Sequence, residues 1–308
     1  MVKEGSITFP SPLVPGDTIA VVAPSGALRG EEHQRALIGL AWLRQRYKII
    51  ANPRIFSADP ATGYLAGDDA QRRNEFARAM GNPNVRAIVA IRGGYGVTRI
   101  VGELPWAEFA RAPKWIVGYS DITGLHMMAS AHGVASVHGP NVTGLAKADS
   151  SDRASWIASL ERPHAMRRWG QLRVMHRGSR SVGPLVGGNL STIAALAASG
   201  ELKIPDGAIL ALEDVGEMPY RVDRLMTSLI RGGYLSNVRA IVFGEFCRCD
   251  SMSGCASVDD VLSEQTAALG IPVLAGGPFG HGARNQAWVS GSTARVDGDA
   301  LTIEGPSA

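Results

Sequence analysis

The chain has 308 residues, a net charge of +3 from 31 Lys and Arg against 28 Asp and Glu, and 45% hydrophobic residues. That length usually needs two domains, and the composition excludes a disordered or fibrous chain. The small charge gives no reason to expect a nucleic-acid partner, and no stretch reaches the ~18 consecutive apolar residues of a membrane span. The start, "MVKEGSITFPSPLVPGDT", has no apolar core of signal-peptide length, so the expectation is a cytoplasmic protein.

"DTIAVVAPSG" (17 to 26) reads as a buried strand ending in a Pro-Ser-Gly turn, followed by a helix whose apolar residues are Leu37, Ile38, Leu40, Ala41 and Leu43. A helix over 70 to 82, strands over 85 to 91 and 114 to 119, and a helix over 121 to 133 continue the alternation. This order predicts an α/β fold with a mainly parallel sheet and ligands at the carboxyl ends of its strands. From about 145 to 182 the chain is arginine-rich and lacks an apolar period, which reads as a charged crossover with one short helix. The expected division is an N-terminal domain over 1 to 160, a linker over 161 to 182 and a C-terminal domain over 183 to 308. "GPLVGGNLSTIAALAASG", "GAILALED", "PYRVDRLMTSLIRGG" and "VRAIVFGEF" alternate again, and "WVSGSTARVDGDALTI" ends in a hairpin around Asp297 and Gly298. A second, smaller, mixed α/β domain with β-hairpin elements follows.

Polar or glycine-rich residues fall beyond strand ends in four places. "IRGGYGVTR" (91 to 99) lets a backbone approach a ligand, but it matches no phosphate-binding fingerprint. In "WIVGYSDIT", Ser120 suits a helix cap, with Asp121 in the first turn, and equally an exposed nucleophile between strand and helix. "LALEDVGEMPYRVDR" places Glu213 and Asp214 at a strand end and Pro219 at the start of a helix; its acids fit no metal-site spacing. "GGPFGHGARNQAW" sets His281 between glycines. A serine, an acid and a histidine in that order, each near a strand end, match the chain order of one class of hydrolase triad. "CRCDSMSGC" holds Cys247, Cys249 and Cys255; without a fourth ligand they read as reduced loop cysteines, and no metal or cofactor is expected.

"YLAGDDAQR", "RGGYG", "GYSDIT", "HGP", "GGNL", "LEDVGEMPYRVDR" and "GHGARNQAW" together resemble the LD-carboxypeptidase family of serine peptidases, which also contains the microcin C self-immunity hydrolases. The resemblance spans nearly the whole chain. It implies a flavodoxin-like N-terminal domain, a smaller C-terminal domain, a homodimer, and a triad of Ser120, Glu213 and His281 in a cleft between the domains. It also implies an oxyanion hole from the N–H groups of Gly94 and Asp121. The implied substrate is the cytoplasmic murein tetrapeptide, cleaved between an L-centre and the terminal D-alanine. Arg92, Arg99, Asn189, Tyr220 and Arg284 are candidates for contacting its carboxylate and side chain, while Asp214 and Glu217 are read as structural.

Two other readings stand beside it. One is an immunity-type hydrolase of aminoacyl-nucleotide amides, for which a linker aromatic such as Trp169 would stack on the base. The other is a non-catalytic anion-binding protein in which Ser120 only caps. An ordinary α/β-hydrolase is disfavoured because Ile122 stands where the G-x-S-x-G elbow needs glycine.

Overall fold

A computed structural model describes residues 7–249 and 255–305. Its first part runs β1 (Thr18–Val22), α1 (Glu32–Arg44), β2 (Lys48–Ala51), α2 (Asp69–Gly81), β3 (Ala87–Ala90), α3 (Trp106–Arg111), β4 (Trp115–Gly118), α4 (Thr123–Ala131), β5 (Ser136–His138), α5 (Val142–Leu145) and α6 (Ser150–Glu161). There follow β6 (Arg167–Trp169), β7 (Arg173–His176), β8 (Ser181–Asn189), α7 (Leu190–Ala198), β9 (Ile209–Val215), α8 (Pro219–Arg231), β10 (Ala240–Cys247), α9 (Val258–Ala267), β11 (Val273–Gly280), β12 (Trp288–Ser290), β13 (Thr293–Asp297) and β14 (Ala300–Glu304). They form two compact units. One holds the chain up to Pro163 together with Gln286–Val289, and the other holds His164–Asn285 and the chain from Ser290.

The first unit is built on a six-stranded sheet in the order β2-β1-β3-β4-β5-β12. The pairings from β2 through β5 are all parallel. The first five strands follow the flavodoxin order 2-1-3-4-5, whose switch point between β1 and β3 is where such sheets bind ligands. β3 and β4 are buried along their whole length, so they read as unbroken apolar runs. Ile19, Val21, Val89, Trp115 and Val117 form their core with Leu40, Leu43 and Trp156 of the helices. α1 buries Ala36, Gly39, Leu40 and Leu43, one stripe at helical spacing, and leaves Leu37 and Ile38 exposed, which corrects the expected apolar face.

The second unit is an eight-stranded sheet, β6-β14-β13-β8-β9-β10-β11-β7. β8, β9, β10 and β11 are parallel. Antiparallel β7 closes one side, and the β13–β14 hairpin with β6 closes the other. Residues 161 to 182 hold β6, β7 and the start of β8. β6 and β7 are outer strands carrying Arg167, Arg168 and Arg173, and charge on a sheet edge suppresses further pairing and hides the strand from an apolar search. Among the described residues, no helix is long and apolar enough to cross a membrane.

Candidate active site

β4 runs out at Gly118, and Ser120 opens a single 3₁₀ turn, Ser120–Ile122, that leads into α4. Tyr119 takes the cap position, and Ser120 sits at φ +65°. An N-cap residue adopts an extended conformation, so Ser120 is not the cap that the sequence allowed. The left-handed region costs a non-glycine residue about 1–3 kcal/mol and such residues cluster at functional sites, though Gln171 and Arg248 adopt it here as well. The half-buried Ser120 hydroxyl makes no hydrogen bond to any described residue. The glycine-rich loop comes directly against it. A Cβ on Gly93 would stand 2.8 Å from the Ser120 Cβ and 3.1 Å from its Oγ, closer than side chains pack.

Three strand ends meet around this turn. The Asp121 carboxylate, 4% exposed, accepts through Oδ2 from the Ser25 hydroxyl at 2.7 Å and the Val97 amide at 2.9 Å. Burial pushes its pKa up to about 6, against the lowering effect of the Ser25 bond. Gly26 N–H donates to the Gly93 carbonyl at 3.2 Å. Arg72, 2% exposed, donates through Nη1 to the carbonyls of Pro24 at 2.5 Å and Gly96 at 2.8 Å, through Nε to Gly67, and pairs with Asp69. Gly94 lies in this loop at φ +115°. No acceptor among the described residues takes the amides of Gly94 or Asp121. Arg92 is held by the Ala27 carbonyl and Glu32, and Arg99 by both oxygens of Asp69.

In the second unit, β9 carries Glu213 and Asp214 on opposite faces near its end. Glu213 is fully buried and accepts through Oε2 from His281 Nδ1 at 2.7 Å. Its Oε1 is buried with no hydrogen-bond partner among the described residues. His281 follows the last residue of β11, with its side chain 15% exposed. A Cβ on Gly282 would fall 1.2 Å from Glu245 Oε2, so a larger residue here would push the Glu245 carboxylate away from the loop. Glu245, near the end of β10, accepts the amides of Ala283 at 3.0 Å and Arg284 at 3.3 Å and so fixes the loop after the histidine. Sequence reasoning missed it; its one signal is a carboxylate on the apolar strand beside the acid-bearing one.

Asp214 takes the Asn189 side-chain amide at 2.9 Å and both the amide and hydroxyl of Ser191, while burial raises its pKa. The Asn189 carbonyl oxygen caps α7 by accepting from Thr192 N–H at 3.1 Å. Tyr220 is 61% exposed at the start of α8, beside Arg221. Trp169 is 6% exposed and stacks on Phe279 at 5.5 Å, a core position that leaves it no face for a nucleotide base. Cys247, Cys249 and Cys255 are free thiols, and residues 250 to 254 between them lie outside the described residues. Among the described residues, no three His, Cys, Asp or Glu side chains are grouped to hold a metal.

A strained serine and a buried Glu–His pair are the parts of nucleophilic acyl transfer. The model for the LD-carboxypeptidase N-terminal domain matches residues 19–139, and that for the C-terminal domain matches residues 182–296. The murein tetrapeptide carboxypeptidase of Pseudomonas aeruginosa is 36% identical over 249 residues, 77% of this chain and 81% of that protein. The crystal structure of muramoyltetrapeptide carboxypeptidase from Oxalobacter formigenes superimposes with a TM-score of 0.80 at 28% identity, covering 94% of this chain and 100% of that one. The microcin C7 self-immunity protein MccF of Escherichia coli is 25% identical over 304 residues, 88% of each chain. With both domain models matched in order and a relative 36% identical over 77% of the chain, the chain belongs to the LD-carboxypeptidase family of serine-type carboxypeptidases.

Proposed function

We propose that this enzyme removes the terminal D-alanine of murein tetrapeptides by hydrolysing its amide with an L-centre, diaminopimelate or lysine, during cell-wall recycling in the cytoplasm, and that it works as a homodimer. His281 takes the proton of Ser120 as the hydroxyl attacks the carbonyl carbon. Glu213 holds the Nδ1–H tautomer and stabilises the imidazolium, and the tetrahedral oxyanion is held by the N–H groups of Gly94 and Asp121. His281 then gives its proton to the leaving D-alanine amine, and water repeats the sequence on the acyl-enzyme. The observation that carries the reading is Ser120 itself: a hydroxyl held at φ +65° with no described partner has no structural task at that place.

The aminoacyl-nucleotide reading keeps the same machinery. It is the weaker one here, because the aromatic proposed to stack on the base is already packed on Phe279. The deciding measurement is D-alanine release from murein tetrapeptide, with chelator present, by wild type and Ser120→Ala. Release by wild type alone is expected. Equal release by both would remove Ser120 from the mechanism, and no release by either, with turnover of an aminoacyl-nucleotide amide, would replace the substrate.

A further inference from the structure

The main-chain amide of Asp121 has a role in the proposed chemistry, but its side chain is the less expected feature. One buried oxygen, Oδ2, receives the Ser25 hydroxyl at 2.7 Å and the Val97 amide at 2.9 Å. Ser25 belongs to the segment after β1, Val97 to the segment after β3, and Asp121 to the turn after β4. A single atom therefore ties together the three strand ends that carry the nucleophile and Gly94. The Gly26–Gly93 main-chain bond at 3.2 Å closes the same ring. A fully buried carboxylate is a costly way to fill space, because desolvation works against its charge. An ionised acceptor does bind its donors more strongly than a neutral one, and here it stands next to a residue held in a strained conformation.

We propose that the Asp121 carboxylate is a positioning residue for the reaction, clasping the Gly94 loop to the Ser120 turn so that the oxyanion-binding amides stay aimed while charge develops on the substrate oxygen. The inference rests on reading Ser120 as the nucleophile and Gly94 as an oxyanion donor. The charged groups that act on Asp121 are Arg72, which binds the carbonyls of Pro24 and Gly96, and Arg92, which is paired with Glu32. Both favour the ionised carboxylate. Burial outweighs them and sets its titration at about pH 6. Below that pH the clasp loses its charge, and kcat falls with it.

The test compares kcat, substrate dissociation constant and melting temperature across a set of variants. Asp121→Ala is expected to lose about 100- to 1000-fold in kcat, the range seen when one oxyanion donor is lost. Substrate affinity, measured by calorimetry in Ser120→Ala and in Ser120→Ala with Asp121→Ala, stays the same. Asp121→Asn, whose neutral amide oxygen can still take both hydrogen bonds, keeps the fold but holds kcat at the reduced level that wild type shows below pH 6, with no titration near that pH. Ser25→Ala removes one donor, keeps the carboxylate, and costs roughly tenfold, the value of one hydrogen bond to a charged group; it also serves if Asp121→Ala fails to fold. Wild-type kcat in Asp121→Ala or Ser25→Ala, or a loss confined to substrate affinity, would overturn the clasp. Activity in Ser120→Ala would instead overturn the nucleophile assignment on which it rests.

Discussion

Ser120 and Glu213 both stand at the end of a parallel strand, yet the chain holds them by different means. Ser120 sits past β4 in a left-handed conformation, and its surroundings are three irregular segments tied by Asp121 and Arg72. Glu213 lies within β9, in regular backbone, and its carboxylate reaches His281 directly at 2.7 Å. The Ser120 turn depends on long-range side-chain bonds that hold loops in place, whereas Glu213 gets its position from the sheet. Damage near Ser120 should therefore travel through loop geometry, and damage at the Glu–His pair should act on the chemistry itself.

The sharpest way to break this contrast is Glu213→Gln. Glutamine keeps the volume in a fully buried position but removes the charge that stabilises the imidazolium in the proposed mechanism, and it can present N–H to Nδ1 and invert the histidine tautomer. The expected loss in kcat is on the order of 10⁴-fold, as for the equivalent change in other triads, with the fold and substrate affinity retained. Steady-state kinetics beside thermal melting would check it. A loss of a few-fold would mean that the sheet alone orients His281 and that Glu213 contributes packing.

Asp121→Asn tests the other side through stability. The carboxylate titrates at about 6 in the folded chain against an ordinary value of 3.8. The folded state therefore binds an extra proton between those values. Its favourable contribution is present below the unfolded value and is lost as pH rises through about 6. The amide variant should be more stable than wild type at pH 8, by up to about 3 kcal/mol, with the difference closing toward pH 4. Denaturant melts at the two pH values would show it. Equal stability at both would mean that the carboxylate is solvated rather than buried.

The candidate residues stand out in the sequence because the proposed chemistry rests on single residues beside strand ends, Ser120 after "WIVGY", Glu213 in "LALED" and His281 between glycines, and of these the structure pairs Glu213 with His281. What was hidden depends on tertiary contact. Arg72 acts on carbonyls 24 and 48 residues away, and Glu245 on amides 38 and 39 residues on, so neither role leaves a local pattern. Gly282 lies against the Glu245 carboxylate, a contact between residues far apart in the chain that the sequence does not announce. β6 and β7 escaped notice because arginine on a sheet edge carries no apolar signal. Trp169 looked available for a ligand because its strand was hidden, and placing that strand puts the ring in the core.

Asn189 marks where the regular half of the comparison is most sensitive to a side chain. Its side-chain amide donates to Asp214 and its carbonyl oxygen caps α7, so both ends of the group are occupied within the second unit. Asn189→Ala removes the cap, a loss of about 1 kcal/mol. It also takes one donor from a buried carboxylate that keeps the Ser191 and Val215 bonds, which adds about 1 kcal/mol or more. A lowered melting temperature with unchanged KM would leave Asn189 as the brace between β8, α7 and Asp214. A rise in KM at unchanged stability would give it to the substrate, and the acid-bearing strand would then depend on side-chain contacts much as the Ser120 turn does.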